Sequence, residues 1–394
     1  MKHLPLRRLA AALIGFVFLV SGLLKIADPV GTMLIVTEYL KFFHLQLLIP
    51  AARGLGIALA LTESLLGIAL VTGVLRKITA WATTCLLGIF TVITLILWVV
   101  NPSMDCGCFG EAIHLSHTQS FWKNVVLLAL AACAFLPFKD FGKTPVRKIV
   151  SASIAVVSVL VAVVYSNTHL PLVDHTDFHP GAEIFASLED EVVADNHYRE
   201  ARTYEKDGQR GQFYPGHYPA DTAWKLIQTD TVFWQGPAAS ERFPILGFRD
   251  AGNEYRDRLA AEGRVFVLSV YKPEKAPWAR IRKHYKAIEE AGGTPLLLVA
   301  TAPSEVDRYE IPIDLTVYYA DYKTLITLNR DNAGVTYLYD GEIIEKWMSR
   351  DFPDGQVTAY VNDDPVNLST HRMIRKRLTA QGFCLYLAAL LLLV

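Results

Sequence analysis

ITAWATTCLLGIFTVITLILWVV runs from Ile78 to Val100 without a charged residue, and NPSMDCGCFGEAIHLSH follows from Asn101 to His117. A membrane span needs about 20 predominantly apolar residues at about 1.5 Å of rise each. The first stretch therefore reads as a transmembrane helix and the second as the polar loop leaving it. That reading decides the fold class. A chain with such a segment, 52% hydrophobic residues and a mean hydropathy of +0.26 is a membrane chain.

Five further apolar stretches flank this one. Leu9–Leu24 follows Lys2, Arg7 and Arg8 and has the outline of a signal peptide. "SGLLKIADP" follows where a small-residue cleavage site belongs, so the stretch reads as an uncleaved span. Gly54–Leu75 contains Glu63. Gln119–Phe138 begins after "LSHTQ", where Ser116 and Gln119 have capping-box spacing and predict a helix start near His117. Ile149–Asn167 is a fifth span, and Leu378–Val394 is short for a sixth.

Basic residues in the short loops set the orientation. Lys2, Arg7 and Arg8, then Arg76 and Lys77, then Lys139, Lys143, Arg147 and Lys148 all fall on one side, which is expected to be cytoplasmic. The loop 101–117 has no Lys or Arg and is expected to face outward, in the periplasm of a bacterial inner-membrane protein, where disulfides persist. The fifth span then places residues 169–377 outside. Arg372, Arg375, Lys376 and Arg377 run against this pattern, but long translocated domains obey the charge rule weakly. A formal net charge of −1 and the lack of a basic stripe exclude a nucleic-acid partner. The implied partners are the lipid bilayer and an exported protein.

Within the outer region, residues 170–255 show little periodicity. From Gly263 the pattern changes. "RVFVLSVY", "TPLLLVAT" and "LTVYYAD" read as strands, with an amphipathic helix in "WARIRKHYKAIEEAGG" and a short one in "YKTLITLNR". "GVTYLYDGEIIEKW" is a hairpin turning at Asp340–Gly341. The order β-α-β-β-α-β-β predicts an α/β sheet domain.

That segment resembles a thioredoxin-like domain, with "VTYLYDGEIIEKW" as its final hairpin. It departs from the redox-active members of that fold. "KPEKAPWAR" stands where they carry Cys-x-x-Cys, and Ala333–Gly334 stands where they carry a cis-proline. The resemblance therefore implies a non-catalytic relative used for binding or docking.

The first four spans resemble the DoxX superfamily and, within it, the MauE-like branch of methylamine utilisation. The resemblance covers about residues 5–140. It is carried by "FLVSGLLKIADPVGT", "ALTESLLGIALVTG", "DCGCFGEA" and "TQSFWKN". It implies thiol–disulfide handling, because the branch is associated with maturation of a disulfide-rich periplasmic enzyme.

Cys106 and Cys108 are the candidate reacting residues, supported by Asp105, Gly107, Phe109, Gly110, Lys123, Asn124 and Glu63. Gly107 between them bends freely enough to bring two sulfurs together. A disulfide closed over one residue is strained and so more oxidising. Such a pair accepts electrons from a substrate dithiol and must pass them on. A membrane quinone is the candidate acceptor, as in DsbB-type and vitamin K epoxide reductase-type enzymes, although this chain lacks their second outward cysteine pair and would need an external partner, such as a thioredoxin-like protein, to shuttle electrons. Asp105 and Glu111 are expected to raise the thiol pKa values and Lys123 to offset them. His114 and His117 are a candidate local base. With the cysteines they also form Cys-x-Cys-x5-His-x2-His, whose ligand types suit zinc or copper but whose spacing is not that of a common zinc finger. The bland alternative is a tight loop that merely closes a helical hairpin. Cys85, Cys133 and Cys384 lie in apolar runs and read as packing residues.

Glu63 costs about 2.5–3.5 kcal/mol to place at mid-membrane, so it is functional or paired. Lys25 reads as snorkelling from the end of the first span; an ion pair with Glu63 would explain both residues, but their expected depths differ. Trp98, Phe121 and Trp122 read as an aromatic belt. "DHTDFH", Asp174 to His179, reads as a solvated linker.

The expected organisation is a polytopic α-helical membrane bundle with an exported thioredoxin-like α/β domain. Its parts are a four-span DoxX/MauE-like domain (1–140), a fifth span (141–168), an irregular exported segment (169–260), the thioredoxin-like domain (261–352), a linker (353–377) and a marginal sixth segment (378–394). The expected function is membrane-linked thiol–disulfide exchange that matures or protects exported proteins. The alternative is a non-catalytic scaffold whose exported domain binds a partner; a small-solute transporter is supported only by Glu63.

Overall fold

The computed structural model describes residues 4–102, 104, 106–136, 145–184, 198–206, 209–213, 224–233, 246–365 and scattered positions from 367 to 385. They divide into two compact units, one of residues 1–176 and 366–394 and one of residues 177–365.

The first unit is helical. It contains α1 (Leu4–Ala27), α2 (Pro29–Phe42), a 3-10 segment (Gln46–Ala51), α3 (Ala52–Thr72), α4 (Arg76–Val100), a short strand β1 (Cys108–Glu111), α5 (His117–Phe135) and α6 (Val146–Thr168). Five helical stretches, in α1, the 3-10 segment continued by α3, α4, α5 and α6, are long and apolar enough to cross a membrane. Together they form a polytopic helical membrane part. Its outer surface exposes large apolar side chains such as Trp81, Val92, Val99 and Val157, as a surface facing lipid must. Ile14, Phe18, Leu87, Leu127 and Ala131 fill the inside. The five spans read from the sequence are all present, with ends shifted by a few residues. The expected capping box is formed: Gln119 N donates to Ser116 Oγ, and Ser116 N donates to Gln119 Oε1. The proposed sixth segment falls largely outside the described residues.

Helices α1 and α3 meet along small residues. A Cβ on Gly67 would stand 2.7 Å from Leu19 N and 2.8 Å from Gly15 O, and one on Gly22 would stand 2.7 Å from Ala60 O. In lipid, where no hydrophobic drive pulls helices together, such close backbone approach holds them. Arg7 Nε donates to Ala134 O at 3.0 Å, placing the start of α1 beside the end of α5.

Helix α2 corrects the sequence reading, which placed no element between the first two spans. Asp28 caps it by accepting from Gly31 N at 2.9 Å, and Pro29 occupies its first turn. At 14 residues, with Glu38 and Lys41 inside, it falls below any length test for a span.

The second unit holds a five-stranded sheet in the order β7-β6-β5-β8-β9. Its strands are β5 (Arg264–Val270), β6 (Thr294–Val299), β7 (Val317–Tyr319), β8 (Gly334–Tyr339) and β9 (Glu342–Trp347). β5, β6 and β7 are parallel neighbours; β8 and β9 run antiparallel. Helix α7 (Trp278–Glu290) makes the crossover from β5 to β6, burying Ile281, His284, Tyr285 and Ile288 at helical spacing. Helix α8 (Tyr322–Leu328) precedes the hairpin, and α9 (Val357–Asn362) follows it. Asp340 and Gly341 turn that hairpin with φ of 46° and 81°, as a type I′ turn requires. The β-α-β-β-α-β-β order is as read. The stretch read as irregular, 169–260, in fact contains a three-stranded antiparallel sheet of β2 (Tyr198–Lys206), β3 (Gln209–Phe213) and β4 (Lys225–Phe233). Its strands are too polar to stand out by hydrophobic alternation.

Candidate functional site

The loop after α4 folds back onto the helices rather than standing away from them. Gly107, at φ 61°, packs so closely on α2 that a Cβ there would lie 2.3 Å from Ile35 Cγ2. This makes glycine obligatory twice over, by backbone and by space. Gly110, at φ 65°, lies against Lys25 of α1. The bend brings Cys106 Sγ and Cys108 Sγ to 3.1 Å as unbridged thiols.

Side chains from α1 and α2 hold both cysteine carbonyls. Tyr39 donates its hydroxyl to Cys106 O. Cys108 O accepts from Lys25 Nζ at 2.7 Å and lies 2.6 Å from Ser21 Oγ. Lys25 also donates to Ser21 Oγ at 2.7 Å and to Glu63 Oε2 at 2.8 Å, with Ser21 Oγ 2.7 Å from the same carboxylate oxygen. Lys25 and Glu63 are only 5% and 2% exposed. This corrects the snorkelling assignment and the expected mismatch in depth. A helical side chain leans toward the start of its helix, so the long Lys25 chain reaches back into the bundle. The α1–α3 seam at Gly22, Ala60 and Ser64 sets Glu63 opposite it. A charge bought into the membrane interior is thus paired and fully hydrogen-bonded, as buried ions require.

The two thiols differ. Cys106 is 3% exposed and Cys108 less enclosed. The Cys106 S–H hydrogen-bonds the Cys108 sulfur, and this, with the nearby Lys123 ammonium, lowers the Cys108 pKa to about 5 against the cost of burial. The buried Ser120 hydroxyl, which faces both sulfurs, adds to the effect. Cys106 is pushed up by the same hydrogen bond and by burial. The shared hydrogen bond therefore favours the proton on Cys106 and negative charge on Cys108. Burial, and then the charge of the thiols, raises the Tyr39 phenol, which stays a donor.

Of the other expected site residues, Phe109 lies under Lys123, with Nζ 4.8 Å from its ring centre. Asn124 is buried, and its Nδ2 donates to Thr94 Oγ1 at 3.2 Å. Asp105 lies outside the described residues. Glu111 sits against Gly31 at the start of α2. His117 Nε2 pairs with Pro102 O at 3.0 Å instead of with a sulfur. Among the described residues no group of three His, Cys, Asp or Glu side chains is placed to hold a metal. Trp98 stacks on Phe121 with ring centres 5.0 Å apart, and Trp122 meets Phe121 edge-on. Sequence reasoning missed Ser21, Tyr39 and Ser120. Ser21 carried a signal, four residues before Lys25 on one face of α1.

Residues 4–137 match the family model of methylamine utilisation protein MauE. The match spans α1 to α5 and includes every residue of the site just described. It agrees with the MauE-like resemblance read over residues 5–140. No curated protein and no solved structure matches the chain.

Proposed function

We propose that the chain is a membrane thiol–disulfide exchange protein acting on exported proteins through Cys106 and Cys108. The observation that carries this reading is the asymmetric pair: two sulfurs 3.1 Å apart, Cys106 buried and Cys108 less enclosed beside the Lys123 ammonium, which favours the thiolate there. A permanent loop staple needs no such asymmetry.

In the oxidised form a client thiolate attacks the accessible sulfur of Cys108. The Cys106–Cys108 bond breaks, and Cys106 leaves and takes a proton. The second client thiolate then attacks the mixed disulfide and expels Cys108. Because Cys108 has a low pKa, it is the better leaving group in this second step. The client gains a disulfide, and the pair is left as one thiol and one thiolate. Lys25, Ser21 and Tyr39 are positioning residues, which fix the carbonyls on either side of Gly107 so that the sulfurs stay in register.

The outward side of the loop follows from the charge pattern of the connecting segments. The α/β domain is read as thioredoxin-like on its strand order and final hairpin. On that reading the 3-10 turn Pro273–Lys275 corresponds to the usual cysteine position and Ala333–Gly334 to the usual cis-proline position. We assign it client recruitment rather than chemistry. The name of the matched family ties the bundle to methylamine utilisation, and a client rich in disulfides fits that association.

The test is a trap. Cys106→Ser should accumulate a mixed disulfide between Cys108 and an exported protein, resolved by reducing gel and mass spectrometry. Cys108→Ser should accumulate much less. No adduct in either variant, under oxidising and reducing growth, would sink the reading.

A further inference from the structure

A cavity of about 250 Å³ opens between the helices directly beside the two thiols. Most of its wall is apolar, including Phe18, Val36, Leu59, Phe90, Ile93 and Leu127. Its polar lining gathers around the cysteines, where Lys25, Glu63, Lys123 and Asn124 also reach it. Lys25 is saturated by Glu63, Ser21 and Cys108 O. Asn124 has one amide hydrogen left after Thr94 takes the other, and Lys123 carries ammonium hydrogens at the same end.

We infer that this cavity binds the head of a membrane quinone, which takes the electrons of the Cys106–Cys108 pair. The inference rests on the thiol–disulfide reading above and names its terminal oxidant. Among the described residues the other cysteines, Cys85 and Cys133, are exposed on α4 and α5 and do not line the cavity. No second pair stands ready to relay electrons there, so a diffusible acceptor must come to the thiols. The volume falls just below the roughly 300–1,000 Å³ of sites for drug-sized ligands. That is room for one ring-sized head, with a tail left among apolar helices. A plain acyl chain would leave the remaining Asn124 amide hydrogen unpaired, at a cost of about 1–3 kcal/mol for a buried group, and would offer nothing to the Lys123 ammonium beyond its contact with Cys108. A quinone carbonyl accepts from them.

The step balances. The Cys108 thiolate and the Cys106 thiol join in an S–S bond as the Cys106 S–H bond breaks. Two electrons pass to the quinone. It takes up the Cys106 proton and one from water and leaves as quinol.

The full chain, in lipid nanodiscs, is reduced and freed of reductant without oxygen. A decyl-tailed benzoquinone with every ring position substituted is then added, so that thiols cannot add to the ring. Quinol formation is followed by ultraviolet absorbance, and the thiols of the loop peptide are counted by alkylation and mass. The expected result is one quinone reduced per chain, with loss of both thiols at Cys106 and Cys108. Val36→Trp and Ile93→Trp, which fill the apolar wall, should raise the half-saturating quinone concentration at least tenfold. Asn124→Leu, close in volume, should raise it several-fold while the Cys108 titration stays in place, which keeps the test open if the tryptophan variants fail to fold. Unreduced quinone in a protein whose Cys106→Ser form still traps a client overturns the inference and leaves the exchange reading standing. Equal quinone reduction after both cysteines are changed to serine also overturns it. Failure of both trap and quinone reduction removes the exchange reading as well.

Discussion

At the scale of single residues, the Lys25–Glu63 ion pair and the hydrogen-bonded cysteines carry the proposed chemistry. Lys25 and Glu63 are buried and 2.8 Å apart, so removing one partner strands a charge inside the bundle. Lys25→Met or Glu63→Met alone is expected to cost about 3–5 kcal/mol, while the double variant recovers much of it. Thermal unfolding in detergent compares the three. The thiol pair sets a pH dependence. Cys108, with a pKa lowered to about 5, is protonated below that pH and a thiolate above it. Its alkylation should therefore rise around pH 5 and stay level through neutrality. An ordinary thiol with a pKa of about 8.5 would still be rising at pH 8. Removing the Lys123 charge, as Lys123→Gln, moves the midpoint upward. The candidate cysteines were legible from the sequence because they alone sit in a polar loop. The Lys25 and Glu63 pairing was not, since depth counted along a helix ignores the backward lean and reach of a lysine side chain.

Among the elements, the short loop after α4 shows how local rules and tertiary contacts divide the work. The Ser116–Gln119 capping box fixes where α5 begins, and spacing alone predicts it. The docking of the loop on Ile35 depends on α2, which the length criterion for spans passed over even though Asp28 and Pro29 mark its start. A side chain at position 107 must push α2 away or leave the positive-φ region. Gly107→Ala is therefore expected to separate the sulfurs and raise the Cys108 pKa by at least about one unit, measured by thiolate absorbance against pH. A shift smaller than about 0.3 units would show that the loop tolerates the methyl group. The polar three-stranded sheet was illegible for the opposite reason. Its strands lack the apolar alternation that marks a half-buried strand.

For the whole molecule, long uncharged runs declare the helical membrane part, and the shift to strand and helix periods after Gly263 declares the α/β part. The organisation of charge predicts sidedness. Cysteine introduced at His114 or at His175 should be labelled by an impermeant maleimide from outside intact cells, and cysteine introduced at Lys77 only after permeabilisation. The reverse pattern would place the thiol loop in the cytoplasm and remove its exported clients. The central claim, that Cys106 and Cys108 cycle, is met most directly by their redox state in living cells. Cells are acid-quenched, the protein is alkylated before and after reduction, and the masses of the loop peptide are compared. A mixed population that shifts when quinone turnover or external thiols are changed is the predicted result. A pair that stays wholly oxidised or wholly reduced under every condition would contradict it.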